Sequence, residues 1–512
     1  MQKTEPITTQ EPFGTSKWKR ARWLYAAVFG AILLVGFILR FYHLDFQSTW
    51  RDEDVSICVS DMPLLPMMEA VIADFVHPPL HYILLHNWFA LFGFGVVQAR
   101  ALSAIFGLLS IVLIYLLARY LFNGGTGLLA ALLLAVSQLG ITYSQEARPY
   151  AQLLFFVLAS TYLFIIALRE RKAVAWCGFV AASVCMLYTH YYGGLVLVCL
   201  ALFAIVWRKR YPIPRLWWAG GMIVFLLAYL PWLSTGVIKL GLHSPKTFLP
   251  MSDPSMASHW SSLPSAINCF NNGKFAGINS ASPKWTFPVG GLLFTLPVLL
   301  VLKRAAKSPA PGDDERRRRE AVLLLAVLWL VPMLAVLGLH RFMVFSHVRY
   351  FAFCIAPYYM LAAAGLRLIS KKTILGHLAV AILVVYSIVA LRSNYFLPYK
   401  ANRRDAVNYV ASQYKESDCC LFWPPETQQS VPQYWYIYQR DFKGLHTTTL
   451  DLIRTGQTGC GRIWLVWDQT RWLSLNKGAN REWKRALEEV LIKAEERRYL
   501  EAEVSLYIPR KP

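Results

Sequence analysis

Three consecutive acids, Asp52, Glu53 and Asp54, stand in the stretch Ser48-Thr-Trp-Arg-Asp-Glu-Asp-Val55, just after the first long apolar run of the chain. A charged side chain costs about 2.5 to 3.5 kcal/mol at the hydrocarbon centre of a bilayer, so acids beside a span mark either a watery loop or a working site. Most acidic runs are solvated loops. Here Trp50 and the apolar run Val55-Ser-Ile-Cys-Val59 flank the acids, and partial burial would make one of them a competent general base. Further on come His77 and His81 around Pro78-Pro79, then Glu146, Arg148 and Tyr150 in Ser144-Gln-Glu-Ala-Arg-Pro-Tyr150, and His190 in Tyr188-Thr-His-Tyr-Tyr192. Last are His340-Arg341 and His347-Val-Arg-Tyr350, which carries Arg349 and Tyr350.

Each of these has a bland reading and a chemical one. Glu146 and Arg148 either close a tight turn as a local ion pair, or hold a substrate and an anion respectively. His77 is a loop histidine kept extended by the following proline, or a ligand contact; His190 is a helix end, or the same. Arg341 and Arg349 are snorkelling interfacial arginines, or guanidiniums that grip phosphate bidentately. The tight His/Cys spacing of a zinc site is missing. Asp52, Glu53 and Glu146 could still offer oxygen ligands to a hard divalent ion.

The elements that must gather these residues follow from composition. Over 512 residues the chain is 56% hydrophobic and only 16% charged, with repeated apolar runs of about 18 to 22 residues, the mark of a polytopic α-helical membrane protein. The net charge of +22 sits in short Lys/Arg clusters between those runs, the pattern of cytoplasmic loops, so nucleic acid is not expected as a partner. Residues 1–16 read as a disordered cytoplasmic tail. Lys17, Lys19, Arg20 and Arg22 then precede an uncleaved first span with its amino end inside.

Parity settles the rest. If Leu80–Phe94 crossed, the basic loops at 169–172, 208–210, 303–319 and 371–372 would all lie outside. Read as a flat interfacial helix opened by Pro78-Pro79, it leaves them inside. The expected fold is therefore about eleven transmembrane helices within residues 17–392. Extracytoplasmic loops are expected at 42–98 and 236–284, with a small extracytoplasmic α/β domain at 393–512. In that tail Asp405–Gln413 looks helical, and Cys419–Trp423, Ile463–Trp467 and Val504–Ile508 look like strands. Trp483, Leu487, Val490 and Leu491 recur there at helical spacing. Cys419, Cys420 and Cys460 could pair in an oxidising compartment, without a framework that decides which. No Gly-rich phosphate loop opens a helix of the tail, which argues against nucleotide binding.

The order W-x-D-E-x-x-S, H-P-P-L-x-Y-x-L-L-H (His77 to His86), Y-S-Q-E-A-R-P-Y (Tyr143 to Tyr150), Y-T-H-Y-Y (Tyr188 to Tyr192) and R-Y-x-x-x-x-x-x-P (Arg349 to Pro357) resembles the bacterial branch of the dolichyl-phosphate-mannose protein mannosyltransferase family. That family belongs to the glycosyltransferase C superfamily, with lipid A aminoarabinose transferases among its relatives. The resemblance runs over roughly residues 20 to 425 and includes Lys400-Ala-Asn-Arg-Arg-Asp405, where Asn402-Arg403 stand in place of the family's aspartate-tryptophan. It implies transfer of a sugar from a polyprenyl-phosphate carrier to a lipid, glycan or protein acceptor on the extracytoplasmic face of the plasma (inner) membrane. In that reading Asp52 is the base, with Glu53 and Asp54 as the other candidates, and Glu53 places hydroxyls of donor or acceptor. Glu146 supports the sugar, and Arg148 and Arg349 hold the phosphate. His77, His81, Tyr150, His190, Arg341 and Tyr350 line the donor site. A lipid-linked sugar flippase and a catalytically silent receptor are the alternatives. The polar residues gather at one membrane face rather than at the midplane of paired similar halves, which favours surface chemistry.

Overall fold

A computed structural model of the chain describes residues 15–74, 76–242, 267, 270–271, 286–307, 312–339, 348–370, 374–391, 395–396, 398–423, 432–455, 458–468 and 477–510. Arg341, His340, His347 and most of the 236–284 loop lie outside the described residues, as do 1–14 of the amino-terminal tail. Helix begins at Thr15, inside the stretch expected to be disordered.

The first half of the chain forms α1 (Thr15–Phe41), α2 (Arg51–Asp61), α3 (Leu64–Asp74), α4 (Leu80–Phe92), α5 (Val96–Leu121) and α6 (Gly124–Ala135). It continues through α7 (Gln138–Ser144), α8 (Tyr150–Glu170), α9 (Ala173–Thr189), α10 (Gly193–Val206) and α11 (Arg215–Leu242). Further helices cover Thr286–Gly290 and Leu296–Lys307 around a π turn, Asp313–Leu339, Ile355–Ser370 after a 3-10 run Val348–Cys354, and Ile374–Ala390.

Helix thus occupies each stretch expected to cross a membrane; among the described residues six helices are long and apolar enough to do so, or seven with α6 and α7 taken as one bent span, against the expected eleven crossings. Three of the expected crossings differ for identifiable reasons. Helices α9 and α10, at 17 and 14 residues, fall below the ~20 that a bilayer needs. Helices α6 and α7 meet at 61°, at a break where Ser137 caps the second helix by accepting from Gly140 N at 3.0 Å. The carbonyls left open at the end of α6 are met by Arg40 of α1, which donates to Leu134 O at 2.9 Å and Ala135 O at 3.0 Å.

α4 forms at the stretch expected to lie flat. Its 13 residues are about 20 Å long, too short to cross. It starts at Pro79, ends at Gly93 in the left-handed region (φ +84°), and packs on α2 and α5. Spans α5 and α8 are central, whereas α1 and α11 present apolar side chains outward (Leu34, Ile38, Leu216, Leu227), as lipid-facing helices do.

The tail holds a four-stranded sheet of order β1-β2-β4-β3, with β1 (Asp418–Trp423), β2 (Arg462–Asp468), β3 (Leu491–Tyr499) and β4 (Ala502–Pro509). β1 and β2 are parallel; β4 runs antiparallel to both its neighbours. Alternate residues of β1 and β2 bury on opposite faces, Cys420, Trp464 and Val466 on one side and Leu421, Leu465 and Trp467 on the other. The helical spacing through Leu491 breaks at Val490, and Leu491 opens β3, an edge strand whose mostly exposed charged residues gave no strand signal. A disulfide joins Cys419 to Cys460, and Cys420 is free and buried.

Candidate active site

The acidic run forms the first turn of α2, where negative charge suits the positive end of the helix dipole. Successive helical residues point about 100° apart, so the three acids fan out to three different cations. Asp52 Oδ2 lies 2.9 Å from Arg349 Nη1 and 3.7 Å from Arg148 Nη2. Glu53 takes Arg100 in a bidentate fork at 2.9 and 3.0 Å. Asp54 takes Arg403 at 3.0 Å. Their side-chain exposures of 31%, 0% and 3% separate the roles: only Asp52 opens to solvent.

Arg148 is fixed by the loop it serves. Its Nη1 donates to Asp52 O at 2.9 Å and Ser56 Oγ at 2.8 Å, and Nη2 faces His77 Nε2 at 3.3 Å. Burial, and then the Arg148 charge, push the His77 pKa well below the ordinary range, so its ring is neutral and Nε2 accepts. Arg349 lies over the Trp50 and Tyr350 rings, with centroids at 5.1 and 5.2 Å. Around these guanidiniums stand the rings of Tyr150, His190, Tyr192 and Tyr350, each within about 6.5 Å of another.

His190 Nδ1 accepts from Tyr192 N at 3.2 Å, which leaves the ring proton of the neutral imidazole on Nε2. Burial and the two arginines lower its pKa to about 3. His190 Nε2, Tyr150 Oη and Trp50 Nε1 are buried without a hydrogen-bond partner among the described residues. Three donors beside two guanidiniums and one carboxylate form a cradle for an oxyanion of net charge near −1.

Glu53 is not where the sequence reading put it. Besides Arg100 it accepts from Ala147 N at 3.1 Å and Lys400 Nζ at 2.8 Å, so both oxygens are bound within the protein and it presents neither to a substrate hydroxyl. Burial alone would raise its carboxyl, but Arg100 and Lys400 outweigh that and hold it at about 2. Glu146 shares Lys400 at 2.9 Å, its one ion pair among the described residues; burial, with Glu53 alongside, leaves its pKa raised. The Lys400 ammonium, which burial would weaken, is held above its ordinary range by these two acids. An oxygen cage for a divalent ion does not form from Asp52, Glu53 and Glu146, because each is already matched to a cation, and no group of three metal-binding side chains occurs among the described residues.

Of the remaining expected residues, Tyr150 and Tyr350 sit in the aromatic cradle. His81 turns instead to Gln152 at 3.2 Å, which itself donates to Thr189. Arg100 escaped the sequence reading altogether. The signal was available: it is a basic residue opening an apolar span on the face where positive charge is not required, the same anomaly that marked Arg349. Lys400 and Arg403 were noticed only through the resemblance.

Residues 76–234 match the family described as dolichyl-phosphate-mannose-protein mannosyltransferase. The solved structure of ArnT from Cupriavidus metallidurans bound to undecaprenyl phosphate superposes with a TM-score of 0.56 at 16% identity, covering 96% of this chain and 98% of that one. At that identity the likeness is one of fold. Oligosaccharyltransferase AglB from Archaeoglobus fulgidus, solved with an inhibitory peptide and a dolichol-phosphate, superposes at a TM-score of 0.51 and 12% identity, over 88% of this chain and 70% of that one. An uncharacterized protein of Aquifex aeolicus is 27% identical over 206 residues, which spans 38% of this chain and about two-fifths (41%) of that relative. With six helices long and apolar enough to cross among the described residues, the chain is a multi-pass membrane protein, and the family match contains α4, the Glu146–Arg148 turn and His190.

Proposed function

We propose that this protein transfers a sugar from a polyprenyl-phosphate-linked donor to a lipid, glycan or protein acceptor, at the membrane face where α2 lies. The single observation that carries the reading is the convergence of Asp52 with Arg349 and Arg148, from three distant parts of the chain, on one solvent-open point. Support for the donor class comes from the solved proteins of this fold, whose structures hold undecaprenyl phosphate and dolichol-phosphate.

The charges balance through the step. The donor is a phosphodiester of charge −1, and the two guanidiniums with ionised Asp52 sum to +1. Phosphate oxygens compete for Arg349 and free an oxygen of Asp52. Asp52 then takes the proton of the acceptor hydroxyl as that oxygen bonds to the sugar C1 and the C1–O bond to phosphate breaks. The departing polyprenyl phosphate gains a second negative charge while Asp52 becomes neutral, leaving two guanidiniums facing a dianion. Donation from His190 Nε2 and Tyr150 Oη is available to the same oxygens.

The catalytic face is assigned as extracytoplasmic, on the plasma (inner) membrane, with the amino end inside. Basic loops cluster at the other end of the spans, and the Cys419–Cys460 disulfide in the tail requires an oxidising compartment. We assign residues 393–512 as an extracytoplasmic domain on the same grounds. It docks on α2 through Arg403, and on the residues just before that helix through Tyr438 Oη, which accepts from Thr49 N at 2.7 Å.

The test is release of free polyprenyl phosphate from a labelled pool of lipid-linked sugars by the purified protein with acceptor-containing membranes. A transferase releases it; a flippase or receptor leaves the donor intact, and that outcome would end the reading.

A further inference from the structure

A second cationic site lies at the opposite end of the bundle. Arg100 beside the catalytic acids and Leu121 at the far end of α5 are about 30 Å apart along the helix axis, as are Tyr150 and Arg169 along α8, so the bilayer separates the two places. There the ends of α5 and α8, Arg210 and the start of the Asp313–Leu339 helix enclose a cavity of about 700 Å³. Arginines 169, 210, 317 and 318 line it.

The acids at this cavity are mostly taken up locally. Glu170 pairs with Lys172 at 2.5 Å, and Asp313 with Arg210 at 3.2 Å, Arg210 also holding Glu320 at 3.1 Å. Arg317 and Arg318 form no ion pair among the described residues, and Asp314 alone opposes them. Arg169 is held over the Tyr120 ring at 5.7 Å, and its Nε and Nη2 are buried with no hydrogen-bond partner among the described residues. A guanidinium fixed in plane with two inward donors unmet is the half of a bidentate pair that lacks its oxyanion.

A neighbouring groove shares Phe122 and Arg318 with the cavity. Its walls are apolar (Val301, Ala305, Val322, Leu368), and Arg304, Arg319 and Arg367 rim it against a single acid, Glu315. Cationic cavity and apolar groove together have the form of a phosphate head followed by a hydrocarbon tail.

We propose that this cavity binds a phosphate monoester, with Arg169 and Arg318 as the principal donors and the groove receiving the chain of a phosphate-bearing lipid. The site is independent of the sugar-transfer chemistry at Asp52.

The test is native mass spectrometry of the full-length protein in detergent with phosphatidic acid, with phosphatidylcholine, and with inorganic phosphate alone. The expected result is one retained phosphatidic acid per chain in preference to phosphatidylcholine. Retention should fall about tenfold in Arg169→Gln and again in the exposed Arg318→Gln, the change expected when one charge-assisted hydrogen bond is lost. Displacement of that lipid by millimolar inorganic phosphate would support the site with the free ion as its ligand; retention in spite of it would support the site with the lipid headgroup. Equal retention of the two lipids, or undiminished phosphatidic acid on the Arg318→Gln variant, would overturn the proposal. Arg318 lies on an exposed helix face, so the outcome does not depend on whether Arg169→Gln folds.

Discussion

Arg349 Nη1 stands 2.9 Å from Asp52 Oδ2, although 297 residues separate them in the chain. In the proposed transfer the pair would make the carboxylate and the donor phosphate rivals for one guanidinium.

That rivalry makes Arg349 irreplaceable by lysine. Its planar fork lies over Trp50 and Tyr350 and can meet two phosphate oxygens at once, neither of which an ammonium reproduces. Arg349→Lys should lower the transfer rate by about 10² to 10³, the cost of one preorganised donor to a developing oxyanion. Steady-state kinetics with a lipid-linked sugar would check this, and a drop of less than threefold would speak against a phosphate contact.

Lys400 should matter for stability rather than chemistry. Removing it leaves Glu53 and Glu146 buried with only Arg100 between them, and breaking a buried ion pair from one side costs about 3 to 5 kcal/mol. Lys400→Met should therefore lower the thermal midpoint, and adding Glu146→Gln should recover part of the loss. Unfolding followed by intrinsic fluorescence would show both changes.

Histidine protonation sets the acid limit. Burial lowers the folded-state pKa of His77, of His81 (to about 4) and of His190 (to about 3) below the unfolded value near 6.5. As pH falls below about 6.5 the unfolded chain binds protons that the folded chain refuses. Each histidine then withdraws up to about 1.4 kcal/mol per pH unit until its own folded pKa is reached. Stability is thus full above pH 6.5 and is lost toward pH 4, before Glu53, held at about 2, adds its own loss below the carboxylate range. A thermal midpoint that stays flat between pH 7 and 4.5 would contradict neutral burial of these rings.

The disulfide gives a readout of sidedness. Cys419 and Cys460 close a loop of 41 residues, for which the chain-entropy account gives about 4 kcal/mol. Thiol labelling of the native-membrane protein should reach these two only after reduction, and reduction should destabilise the tail. Labelling of both without reductant would move the tail to a reducing compartment.

Charge asymmetry made much of the site legible before any coordinates. The acids of the first loop, the Glu146–Arg148 turn and Arg349 could be assigned to one face because the basic loops had to share the other. Helix phase was not legible. A run of Asp-Glu-Asp gives no hint that a 100° step sends Glu53 to Arg100 and Lys400 and leaves Asp52 alone open, since those partners lie 47 and 347 residues away. The bend between α6 and α7 was hidden for a similar reason: the apolar run is interrupted only by Ser137-Gln138 and reads as one span, and the capping by Ser137 and the reach of Arg40 reveal the break. In the tail, hydrophobic alternation marked three strands, while β3 went unseen because its edge residues are charged.

The central claim is that Asp52 is the base of a sugar transfer. The most direct measurement is the rate of transfer from a labelled polyprenyl-phosphate sugar by Asp52→Asn, compared with wild type at matched thermal stability. Asparagine keeps the shape and a contact to Arg349 but cannot take the proton, so the rate should fall by about 10² to 10⁴ with donor binding retained. Transfer within a few fold of wild type by the folded variant would contradict the account.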